Sequence, residues 1–70
     1  PVIIMKFTLS QAVRKHVEGM VAKHRANVQA YLDHSVAIAE HTDIIESVEI
    51  ELKKVAEYED MLHVLDKYFS

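Results

Sequence analysis

Apolar residues recur at helical spacing along most of this chain. One stripe runs Leu9, Val13, Val17, Met20, His24, Val28, Tyr31, Ser35 and Ile38. Its steps of mostly four, four and three residues approach the 11-residue period of a nearly straight α-helix. A second stripe runs Ile45, Val48, Leu52, Val55, Tyr58/Glu59, Leu62, Leu65 and Phe69. Gly19 is the only glycine and Pro1 the only proline, so a β-sheet would lack the residues its turns require.

Two helix starts are legible. Thr8 and Gln11 have the spacing of a capping box, and Asp43 with Glu46 repeats it. Between them the segment 40–43, "EHTD", is the one cluster of weak helix formers. The pattern predicts helices over about 9–40 and about 44–69, joined by a turn at about 41–43, with 8–70 forming a single domain. If the chain folds back about 41–43, the two stripes pair with position numbers summing to a constant within one: Ile38 with Ile45, Tyr31 with Leu52, Val28 with Val55, Met20 with Leu62, Val17 with Leu65. An antiparallel two-helix hairpin is therefore expected over one continuous helix, although a periodic sequence offers some such matches freely. Residues 1–7, "PVIIMKF", form an apolar tail whose successive β-branched residues favour an extended strand.

The same pairing sets His24 against Tyr58 and Glu59. An imidazole and a carboxylate facing each other can satisfy one another in an apolar seam, where neither is stable alone. The expectation is a buried polar pair, His24–Glu59, that fixes register as polar residues do in coiled coils. A pH response and a ligand role are the competing readings.

Seventy residues cannot enclose a large core, and without cysteine no disulfide or thiolate-bound metal can staple the fold. Association is the remaining staple. Ile50, Met61, Val64 and Tyr68 cluster on the side of the second helix away from the hairpin seam, and Ala12, Gly19, Ala26, Ala30 and Ala37 line a small-residue row on the first. Two hairpins closing over such surfaces give a homodimeric four-helix bundle. Charge is asymmetric beneath the formal net of −3. Residues 1–30 hold Lys6, Arg14, Lys15, Lys23 and Arg25 against Glu18 alone, whereas residues 31–70 hold ten acids against Lys53, Lys54 and Lys67. Opposite halves of this kind attract within or between chains.

Chemistry-bearing motifs are sparse. Five histidines suggest metal, yet His16 and His34 would stand about 27 Å apart on one helix and His34 and His41 about 10 Å. Asp60 and His63 have the i, i+3 spacing of di-iron bundles but lack a matching glutamate on the first helix. No nucleophile triad or glycine-rich phosphate loop is present. Basic clusters at 14–16 and 23–25 share no clear face and lie near acids of the second helix, so nucleic acid is not an expected partner. No apolar run approaches the length of a bilayer span, and no charged leader precedes the tail. The sequence thus predicts a cytoplasmic, non-enzymatic interaction or regulatory protein, without cofactor or metal, that self-associates and offers a helical surface to a protein partner. A metal-binding or redox bundle built on His24, Glu59 and His63, and a nucleic-acid-binding hairpin, are the alternatives.

Overall fold

The computed structural model describes the backbone of residues 2–34 and 42–69, and the side chains of 8–34 and 43–69. Two helices account for nearly all of it: α1, Val2–Asp33, and α2, Thr42–Phe69. They pack along their length as an antiparallel hairpin, because pairs that meet across the seam take later residues of α1 with earlier residues of α2. No strand occurs among the described residues.

Helix α1 corrects one expectation. The tail predicted to be extended is helical from Val2, so Thr8 lies inside the helix and does not cap it. The β-branched residues at its start cost only a few tenths of a kcal/mol each, roughly, in a helix. Adding turns to an existing helix needs no new nucleus, and an isolated strand has no ladder to join. At the other end His34 N–H donates to the Ala30 carbonyl at 3.2 Å, and Gln29 Nε2 donates to Asp33 Oδ1 at 2.7 Å. The expected continuation of this helix to residue 40 lies outside the described residues. Of the expected turn, residue 41 does too, while Thr42 and Asp43 already belong to α2. Asp43 in its first turn and Lys67 in its last both complement the helix dipole.

The seam is narrower and more regular than the apolar stripes. Buried or half-buried side chains in α1 fall at Ser10, Arg14, Val17, Val21, His24, Val28 and Tyr31; in α2 they fall at Ile44, Val48, Glu51, Val55, Tyr58, Leu62 and Leu65. Both series step strictly by four and three, the heptad of an antiparallel coiled coil. Met20, Asn27 and Ser47 flank them, also half-buried. Leu9, Val13, Ile45, Leu52 and Phe69, expected in the seam, are exposed.

Register shifts accordingly. His24 lies nine residues before Asp33 and Glu51 nine after Thr42, and these two meet. Taken with Asn27 meeting Glu51, Arg14 meeting Asp66 and the His24 ring reaching Tyr58, this sets His24 between Glu51 and Tyr58, so the pairing is displaced by about half a heptad from the one that a reversal at 41–43 implies. Such a slide still sets one seam position against another, so apolar matching is nearly blind to it.

The result is a thin rod, 56 × 16 × 13 Å, with a radius of gyration of 16.3 Å. A compact chain of this length would have about 11 Å. Among the described residues Val17 is the one buried apolar side chain, at 6% exposure, and His24 the one buried polar side chain, at 8%.

Candidate interaction surface and the polar layer beneath it

His24 sits in the last third of α1 at a seam position, where a leucine would ordinarily be found. Its Nδ1 hydrogen bonds Glu51 Oε2. The same oxygen accepts a hydrogen bond from Asn27 Nδ2 at 3.2 Å. Glu51, itself a seam residue with a side chain only 20% exposed, is thereby held by two donors from successive turns of α1. These bonds, His24 first and Asn27 second, hold the Glu51 carboxyl below its ordinary range. An ionised carboxylate only accepts, so the proton between them belongs to His24 Nδ1.

Above this layer the His24 ring stacks on Tyr58, with centroids 5.9 Å apart and planes 7° from parallel. Tyr58 stands one heptad farther from the reversal than Glu51. Helical side chains lean toward their own N-terminus, and in an antiparallel pair that brings these two rings toward each other. The predicted neighbour Tyr58 is therefore present. The predicted acid is not: Glu59 is exposed, and the carboxylate that meets His24 is Glu51. Counting heptads through Ile44, Tyr58 and Leu65 would have found Glu51, because it fills the position between them.

A second cross-helix tie lies toward the open end of the hairpin. Arg14 Nη2 bonds Asp66 Oδ1, and that hydrogen bond holds the guanidinium above its already high ordinary range. Among the described residues no buried side-chain polar atom lacks a partner.

The four residues expected to form an interaction surface, Ile50, Met61, Val64 and Tyr68, are all solvent-exposed, between 39% and 64%. Taking about 100° per residue with the seam as reference places them on one face of the hairpin, together with Leu9 and Val13 of α1. The stacked pair His24–Tyr58 leans to that face, and Arg14–Asp66 lies on the other. Leu32, Ile45 and Leu52, also exposed, fall on the second face toward the reversal. At the end of the first face the Lys67 ammonium lies 5.3 Å from the Tyr68 ring centroid, and Phe69 meets that ring edge-on at 6.3 Å.

Asp60 and His63 are exposed, and the described residues contain no group of three or more metal-ligating side chains. No helix among them is long and apolar enough to cross a membrane. Compared with protein-family models, curated proteins and solved structures, the chain matches none of them.

Proposed function

We propose that this chain is a small, non-enzymatic interaction protein that works by presenting a helical apolar face to protein, a second copy of itself included. One observation carries the reading. Ile50, Met61, Val64, Tyr68, Leu9 and Val13 stand exposed on a single face of a rod that buries one apolar side chain among those described. A monomer in water seldom leaves so many large apolar side chains uncovered on one face.

The polar layer fits this role as scaffold. His24, Glu51 and Asn27 are mutually satisfied, and their hydrogen bonds hold the face at a fixed angle instead of offering groups to a substrate. Capture of a partner by immobilised protein tests the reading. Capture should persist in high salt, because apolar burial is not screened. It should weaken at least tenfold in Met61→Asp and in Tyr68→Asp, with the hairpin intact by circular dichroism. Capture that fades steeply with salt and ignores both substitutions would instead indicate a charge-driven ligand.

A further inference from the structure

We propose that the occupant of this face is a second copy of the chain, docked with both reversals at the same end, so that α1 of each copy lies along α2 of the other. The inference rests on the reading of the face as an interface and adds to it the partner and its orientation.

Area points to a second copy. The chain exposes 5840 Å². A compact monomer of 8.0 kDa exposes about 4,500 Å². The rod thus carries an excess of roughly 1,300 Å² per chain, and a stable pair needs about 1,200–2,000 Å² buried in total, counting both partners. Face-to-face docking of two hairpins meets that need with the surface already described.

Position and charge select the orientation. Leu9, Val13, Met61, Val64 and Tyr68 all lie toward the open end, so apolar surface covers apolar surface only when the two open ends coincide. With the reversals at the same end, the two-fold axis runs along the rod. Met61, Val64 and Tyr68 of one copy then face Leu9 and Val13 of the other. With the reversals at opposite ends, this cluster would lie against the middle or the far end of its mate.

The helices differ in sign as well. Helix α1 carries five bases against two acids, and α2 eight acids against three bases. The same-end arrangement lays the basic helix on the acidic one at both contacts. The opposite-end arrangement lays α1 on α1 and α2 on α2, which opposes like charges.

The chain has no cysteine, so Asp33→Cys introduces a single site for a spin label. Sedimentation should give the mass of two chains at micromolar concentration. Dipolar spectroscopy on the labelled protein should place the two labels within about 30 Å, a bundle's width plus the label arms. The opposite-end dimer would separate them by about a helix length, close to 50 Å, and that distance would overturn the orientation while leaving the face an interface. Val64→Glu should give the mass of one chain, and Ile45→Glu, on the other face, should leave the dimer whole. The reverse result, or a single-chain mass for the unaltered protein, sinks the second copy as occupant. Partner capture that still depends on Met61 would then preserve the broader reading.

Discussion

At the scale of single residues, the fold turns on how one histidine is accommodated. His24 occupies a seam position where an apolar side chain would pack more simply, and it is matched by a carboxylate at another. Removing one partner leaves the other with unmet hydrogen bonds, whereas removing both leaves an apolar seam. His24→Leu should therefore lower the melting midpoint by several degrees, and adding Glu51→Leu should recover most of that loss. A double variant as unstable as the single one would mean that the pair is not coupled. Acid offers a second measurement. The Glu51 carboxyl is held below its ordinary value of 4.5, so the folded form releases this proton more readily than the unfolded one. Its contribution is complete above about pH 5 and disappears as pH falls through the lowered folded value. Thermal melts from pH 7 down to pH 3 should show Glu51→Gln losing less stability than the unaltered chain across that acid range. Parallel curves would refute the linkage.

At the scale of elements, each helix is decided by different physics. Helix α2 has an acid in its first turn, a base in its last and a continuous heptad. Helix α1 has neither terminal charge, carries Gly19 near its middle and depends on packing against its neighbour. Gly19 adopts ordinary helical geometry, and a Cβ there would meet nothing within 4 Å. Gly19→Ala should consequently stabilise the chain by about 0.5–1 kcal/mol, as read from the midpoint of urea unfolding. Both helices and the hairpin were legible from apolar periodicity and from the near absence of glycine and proline. So was the need of His24 for an acid across the seam. The register was not, because Val17 finds a leucine at Leu62 or Leu65 with equal ease. Glu51 escaped notice because a charged residue reads as solvent-facing until its two donors are seen. The segment 2–7 misled for a related reason: its local strand preference is weaker than the gain from extending a helix already formed.

The whole molecule is a rod whose seam, among the described residues, buries Val17 and His24 alone. Its stability should then depend on how much protein is present, since a species that binds only the folded form raises the melting midpoint by mass action. A tenfold increase in concentration changes an association equilibrium by about 1.4 kcal/mol. Scanning calorimetry at several concentrations should show the midpoint climbing by a few degrees per decade. A midpoint independent of concentration would identify the free hairpin as the stable unit.

The tie between Arg14 and Asp66 has a consequence for how the rod can be used. It lies toward the open end, with Asp66 in the last turn of α2 and Arg14 twelve residues into α1, so the start of α1 projects past the end of α2 by roughly two turns. Anything fused to either terminus leaves from one pole, and the tip is held away from it by most of the rod's 56 Å. The hairpin can thus serve as a strut anchored at its base through either terminus.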